Sequence, residues 1–500
     1  MRYLSLFLLI FTLICNGQQN NLQVIDTVFY NFYGGPNQEE ARDFIETVDK
    51  GFLICGSSSS FGQGASSVYL IKTDSNGVFK WGRTYGGINA DRGMSVLKTS
   101  DNGAIVSGYS NSFNNFEYDV FYFKIDSAGN QVWQKTFNEN DWEFAYSSAL
   151  LPNDEIIIAG ETYSQTNGGS DALLIKTNSI GETQWIKKIG FLQNDAFRSV
   201  CNLNGFIYAA GYYTESSTLL TKGLIAKFNH EGSLIDTFLL PALNSMNYKL
   251  NSIQVFDNAS LIISGEIVKN ETILPQSEFR MKIDTSLSVI WRDSAQFSEI
   301  KKGEYIFKHR LNNHLMSVFT LNGGNGKTAM FLADYTDHFY YNFGSTYGGL
   351  EEEQGVKGLL SSRNKLVYLG NTKTWGYGDQ DFWMVMFKAD TLISDHKTKN
   401  RFYTDTLSLS PIGLNELNDS GQVLVYPNPT KKNDLININL INKNSTIIIY
   451  DAFGRKVYEK TTQTERKLII DPDSYGMSSG IYLVKISGNE YSTCIKLLVE

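Results

Sequence analysis

The segment KTDSNGVFKW (residues 72–81) returns as KIDSAGNQVW (124–133) and KTNSIGETQW (176–185), one copy every 52 residues. A chain built this way must stack or ring a single supersecondary unit, because one copy alone cannot bury its apolar faces. Followed along its aromatic position, the register runs through Phe29, Trp81, Trp133, Trp185, Ile235, Trp291 and Phe343, at spacings of 52, 52, 52, 50, 56 and 52 residues. A second marker keeps the same period. A glycine closes an apolar run at Gly56, Gly108, Gly160, Gly211, Gly265 and Gly370, and of the seven units only the sixth, with LMSVFT, lacks it.

Within each unit the pattern alternates with period two and is broken by turn residues, as in MSVLKTSDNGAIVSGYS and DVFYFKIDSAGNQVWQKTF. Four strands fit each unit, with glycine supplying the positive backbone angles of tight hairpins. Repeats of about 50 residues with four strands predict an all-β, seven-bladed β-propeller over 18–395. The large residue at each tryptophan position is expected to fill the space between neighbouring blades. The first strand-like stretch, around Phe29, has no three strands before it, and the last unit lacks a clear fourth strand. Residues 24–32 are therefore expected to complete the last blade and leave no open sheet edge at the seam.

Over roughly residues 22–395 the chain resembles the secreted bacterial β-propeller repeat proteins, carried by the repeat itself and by TYGG at 84–87 and 346–349. The Gly-Gly pair stands before the first strand of a unit, unlike the arrangement in kelch repeats. Units five and six depart most from the pattern.

The two ends set the address. MRYLSLFLLIFTLICNGQQN has one Arg, an apolar run and small or polar residues, the layout of a signal peptide over 1–17. A lipidated Cys15 is the alternative, disfavoured by bulky Ile14. No other stretch has the length and apolarity of a transmembrane helix. Residues 396–422 are polar and irregular and read as a linker. The segment 423–500 has short Ile-, Val- and Leu-rich strands that predict a small Ig-like β-sandwich. Its ordered motifs, VYPNPT (425–430), IYDAFGRKV (449–457), SSGIYLVKI (478–486) and terminal KLLVE, resemble the type IX secretion C-terminal sorting domain. Tyr426, Pro427, Asn428, Pro429, Gly454 and Gly480 carry the match. The resemblance implies the type IX secretion machinery as a partner, and placement on the outer-membrane surface or outside the cell.

A net charge of -8, with 52 acidic against 44 basic residues, argues against a nucleic-acid partner. Three cysteines remain after the signal, Cys55, Cys201 and Cys494, without metal-type spacing, and Cys55 and Cys494 sit in apolar runs that suit buried thiols. No nucleophile elbow, P-loop or CxxC motif occurs. Ten residues after the anchor stand Glu39, Asp91, Glu143, Asp195 and Glu353, with Ser245 and Lys301 as exceptions. These acids are read in two ways, as a ring able to hold a divalent cation such as Ca2+ or as caps of their own turns, and the second is preferred.

The loops between second and third strands are rich in Ser, Gly, Asn and aromatics, and strand parity puts them on the face that bears the acids. Phe113, Phe116, Tyr163, Tyr213, Trp375 and Tyr377 are the candidate contacts there for a glycan or protein ligand. Two classes of function follow. One is a surface-displayed binding, adhesion or structural propeller; the other is a secreted polysaccharide-degrading enzyme with its site in the funnel. Carboxylates without a neighbouring Arg or His favour the first.

Overall fold

The computed structural model describes residues 27–113, 117–166, 168–240, 246–269, 276–309, 314–322, 327–336, 341–349, 351–388, 424–426, 435–439, 445–451, 456–462, 467–478, 480–487 and 492–499. The expected signal segment and linker lie outside these residues, as do Phe116, Pro427, Asn428, Pro429 and Gly454.

Each repeat becomes an antiparallel sheet read in chain order. The first contains β2 (Glu39–Glu46), β3 (Phe52–Ser58), β4 (Ser67–Thr73) and β5 (Phe79–Tyr85). The second contains β6 (Asp91–Lys98), β7 (Ala104–Ser110), β8 (Asp119–Ile125) and β9 (Gln131–Phe137). The third runs through β10 (Glu143–Leu150), β11 (Ile156–Thr162), β12 (Asp171–Thr177) and β13 (Thr183–Ile189). The fourth runs through β14 (Ala196–Leu203), β15 (Phe206–Thr214), β16 (Thr221–Asn229) and β17 (Leu234–Leu239). The last is built from β25 (Glu353–Leu360), β26 (Lys365–Thr372) and β27 (Asp381–Lys388). Its fourth strand is β1 (Thr27–Tyr33), which pairs antiparallel with β27 from Thr27↔Phe387 to Tyr33↔Phe382. First strands pack on the preceding sheet, and β2 packs on β25, β26 and β27, so the seven blades close a ring.

Burial follows position in the blade. The middle strands β3, β4, β11 and β12 are buried at every residue, because a neighbouring blade covers each face, while outer strands such as β9 and β17 remain largely exposed. That is why middle strands read as continuous apolar runs and outer ones as mixed sequence.

Blades five and six depart from the expected four-strand units. β18 (Met246–Asp257), β19 (Ser260–Lys269), β20 (Gln276–Asp284), β21 (Val289–Lys308), β22 (Leu315–Asn322), β23 (Thr328–Tyr335) and β24 (Tyr341–Tyr347) form one seven-stranded sheet. The 20-residue β21 is the outer strand of blade five, against β20, and the inner strand of blade six, against β22. Its middle, SAQFSEIKK, carries no Gly or Pro to turn the chain, so the strand runs on.

Every inner strand carries a β-bulge at the same level. The register slips between Ala41/Asp43, Gly93/Ser95, Ala145/Ser147, Phe197/Ser199, Leu250/Ser252, Gly303/Tyr305 and Gly355/Lys357. The closing glycine of the repeat stands opposite this bulge. A β-carbon at Gly160, for example, would sit 1.7 Å from the Phe144 carbonyl oxygen. The sixth blade meets the same crowding from the other side, with Gly303 opposite Phe319. Just past the bulge, side chains bind the next blade: Asp43 Oδ2 accepts Val96 N–H at 2.8 Å, Ser147 Oγ accepts Val200 N–H at 3.3 Å and Ser199 Oγ accepts Ile253 N–H at 3.1 Å.

The C-terminal segment forms its own two sheets. β28 (Leu424–Tyr426), β29 (Ile436–Asn439) and β32 (Lys467–Ile470) make one; β30 (Thr446–Asp451), β31 (Lys456–Thr461), β33 (Gly480–Ser487) and β34 (Ser492–Val499) make the other. Ile436, Ile438 and Leu468 of the first share a core with Ile447, Val484 and Leu497 of the second. Among the described residues no helix is long and apolar enough to cross a membrane.

Candidate functional site at the channel mouth

The five repeated carboxylates are buried, between 0 and 1% exposed, and each is engaged within its own blade. Each accepts the N–H four residues before it: Gly35 at 2.7 Å on Glu39, Gly87 at 2.8 Å on Asp91, Glu139 at 3.1 Å on Glu143, Phe191 at 2.5 Å on Asp195 and Gly349 at 2.8 Å on Glu353. Each also accepts from the residue nineteen positions on, at the end of the second strand: the hydroxyls of Ser58, Ser110, Thr162 and Thr372, and the Thr214 N–H. In these five blades the acid fastens the loop that leads into the first strand. The structure does not gather the five into one site, and among the described residues no group of three or more His, Cys, Asp or Glu is placed to hold a metal.

Burial raises the Glu143 and Glu353 carboxyls, and lifts Asp195 to about 6. Asp381, which opens the third strand of the last blade, rises to about 7 through burial, opposed by N–H bonds from Tyr377 and Gly378 and reinforced by Glu39.

The loop aromatics fold back onto their own blades. Phe113 is exposed but rests on Phe121 with ring centroids 5.1 Å apart, and Trp375 rests on Trp383 at 5.3 Å and on Phe32 at 5.8 Å. Phe61 does the same on Tyr69 at 5.2 Å. In all three pairs the partner lies eight residues on, inside the third strand, so the ring pins its loop. Tyr213 belongs to the core between blades three and four, against Phe191 at 5.0 Å. Tyr377 donates its N–H to Asp381. Tyr163 joins a group of six rings.

That group was not singled out from the sequence, although its signal is there. In DWEFAYSS the residues alternate: Glu143 and Ala145 are buried, whereas Trp142, Phe144 and Tyr146 are partly exposed. Period-two geometry puts Phe144 and Tyr146 on one side of β10, with Trp142 just ahead of the strand. Phe144 and Tyr146 stack with centroids 6.4 Å apart, Trp142 meets Phe144 edge-on at 6.3 Å, and Tyr163 meets Phe144 edge-on at 6.2 Å. Tyr109 and Tyr118 of blade two complete the cluster at 4.9 and 5.4 Å from Phe144. Trp142 is 46% exposed, and the neighbouring loops expose Ile88, Phe191, Leu192 and Leu219.

Tyr146 also lines the central channel, a cavity of about 610 Å³ walled by the inner strands of all seven blades. The bulges supply Arg42, Met94, Tyr146, Arg198, Asn251 and Val356 to its wall, since a bulge re-aims the extra side chain. Arg42 and Lys357 of this wall are paired. Arg42 and Arg92 both bind Glu40, Arg92 at 2.9 Å, and Lys357 binds Asp43. Arg198 is held differently: its guanidinium lies 4.0 Å over the Tyr146 ring and 5.4 Å from that of Tyr212, whose hydroxyl it meets at 3.4 Å. The Tyr146 hydroxyl in turn donates to Glu161.

Comparison with known proteins agrees with the C-terminal reading. Residues 424–500 match the family described as the secretion system C-terminal sorting domain, so the chain ends in a type IX secretion sorting domain and is an exported propeller protein. No curated protein matches the sequence. Among solved structures, the chain is similar to the WD40 domain of Pan2 from Neurospora crassa at 11% identity, covering 70% of this chain and 89% of that one with a TM-score of 0.44. Sqt1 from Chaetomium thermophilum matches at 8% identity over 73% and 99% of the two chains, TM-score 0.42. YCF48 bound to D1 peptide matches at 10% over 73% and 97%, TM-score 0.43.

Proposed function

We propose that the protein is a surface-displayed or released binding module whose propeller takes a glycan or protein ligand at the aromatic mouth of its channel. The supporting observation is the Trp142, Phe144, Tyr146 stripe. Core aromatics of this fold are covered by the next blade, yet these rings stay partly exposed, Tyr146 lines the cavity, and Phe144 is fixed by edge-on contacts from Tyr109, Trp142 and Tyr163. Rigid rings lose little entropy on binding and offer apolar faces that suit a pyranose or an apolar side chain. A binding role also fits the carboxylates, which are committed to loop closure rather than set as an acid and base pair facing a cavity.

The test is a glycan array and a host-surface binding assay on the full chain, comparing Trp142→Ala/Phe144→Ala with Val48→Ser/Ile180→Ser on the opposite hairpins. Loss of binding in the first variant alone is expected. Equal binding by both variants contradicts the assignment.

A further inference from the structure

We infer that the channel mouth holds an anionic group of an acidic sugar, seated between Arg198 and Lys249, an inference that rests on the aromatic mouth being the ligand seat. Both residues line the channel cavity. Both lie 5.4 Å from the ring centroid of Tyr212, so one aromatic ring has two cations beside it. Neither forms a hydrogen bond or ion pair with a carboxylate among the described residues, in contrast to Arg42 and Lys357 in the same wall. Glu161 acts on Arg198 electrostatically without an ion-pair contact and accepts from the hydroxyls of Tyr146 and, at 3.3 Å, Ser170, while Glu266 lines the same cavity and stands opposite Lys249 in the strand register.

An anion placed between two cations of one wall offsets their mutual repulsion. The chain as a whole is acidic, at -8, so two cavity cations without a direct carboxylate ion pair among the described residues are not a consequence of composition. Arg198 is oriented by stacking on Tyr146, and its single hydrogen bond, to the Tyr212 hydroxyl, leaves most of its donors open. A planar guanidinium held by stacking is suited to two parallel bonds to a carboxylate or sulfate. The rings of Phe144 and Tyr146 alongside suit the face of the sugar that bears the charge.

The experiment is isothermal titration of the full chain with penta-galacturonate, with dextran sulfate and with neutral dextran, each at 50 and 300 mM salt. The expected result is binding of at least one charged probe, at least tenfold tighter than dextran and weakened by salt. The arm that responds tells carboxylate from sulfate. Arg198→Met and Lys249→Met should each weaken it about tenfold. Arg198→Lys should fall between, and Lys98→Met, a cavity residue at the far end of its strand, should leave it unchanged. Should Arg198→Met fail to fold, Lys249→Met decides alone. Dextran binding as tight as the charged probes, or charged binding unaffected by both Met variants, overturns the inference. If neither charged probe binds while a neutral glycan binds and is lost in Trp142→Ala, the anion seat is wrong and the aromatic seat stands. If Trp142→Ala also changes nothing, both fall.

Discussion

Trp81 lies against Gly129 of the following blade, so close that a β-carbon on the glycine would come 2.8 Å from the indole. The same relation joins Trp133 to Gly181 and Trp185 to Gly232. It explains why the repeated segment carries both a turn glycine and a tryptophan: the ring of one copy covers the turn of the next. Each glycine also has a positive φ, +83° at Gly129. Gly205 has nearly the same φ, +79°, with nothing within 4 Å. Gly129→Ala and Gly205→Ala should therefore share a backbone cost of about 1–2 kcal/mol, and Gly129→Ala should lose about 1–2 kcal/mol more by displacing the ring. Urea denaturation of both variants measures the difference, and equal losses would show that the ring contact contributes nothing.

Acid pH should stabilise the ring. Asp195 and Asp381 have folded pKa values of about 6 and about 7, above the ordinary value near 3.9. A raised carboxyl adds stability that is complete below its unfolded pKa and lost as pH climbs through the folded one. Burial is the main cause in both, and Asp171 faces Asp195 as Glu39 faces Asp381, each opposing ionisation. The melting temperature should fall between pH 5 and pH 8, and Asp381→Asn should flatten that fall. Thermal scans at constant ionic strength measure it; a melting temperature that rises over this range contradicts the assignment.

Trp375 should prove a stability residue. Its ring is wedged between Phe32 of the N-terminal strand and Trp383 of the third strand. Trp375→Ala should cost about 2 kcal/mol, below the 3–5 kcal/mol of a fully buried ring because Trp375 is half-buried. An unchanged denaturation midpoint would place it among the ligand contacts instead.

How much of this was legible in the sequence depends on periodicity. The ring, the blade count and the closing strand follow from spacings alone, because 52-residue copies differ little in local structure. Blades five and six were harder because the missing turn between Trp291 and Gly303 is an absence, and period-two sequence on both sides reads equally well as two strands or one. The acids stood out because they repeat, and they repeat because five of the seven blades fasten their leading loop in the same way. The channel mouth was not found because it does not repeat: Tyr146 and Arg198 occupy the bulge position that elsewhere holds Met94 or Val356. What each bulge residue faces is set by the ring's closure, which no local pattern records. The alternation in DWEFAY was the available signal.

Removal of residues 18–33 should open the seam. β1 supplies every outer-edge pairing of β27, from Tyr33↔Phe382 outward, and Tyr33 is buried with its hydroxyl on the Gly77 carbonyl oxygen of the next blade. Without it the apolar β27 becomes a free edge. A lower melting temperature and aggregation that grows with concentration are expected by light scattering. A truncated protein that stays monodisperse with the parent's melting temperature argues against closure by this strand.

Deleting 424–500 should separate export from folding. Among the described residues the sorting domain has its own core, drawn from Ile436 to Val499 with no propeller residue in it, so its loss should leave the ring's core clusters intact. The truncated chain should keep the melting temperature of the propeller and accumulate in the periplasm, because the type IX sorting signal is gone. Cell fractionation with surface proteolysis reads the location, and thermal denaturation of the purified fragment reads the fold. Surface display without residues 424–500 would mean that the propeller carries its own export signal, and a collapse in stability would mean that the two parts do not fold separately.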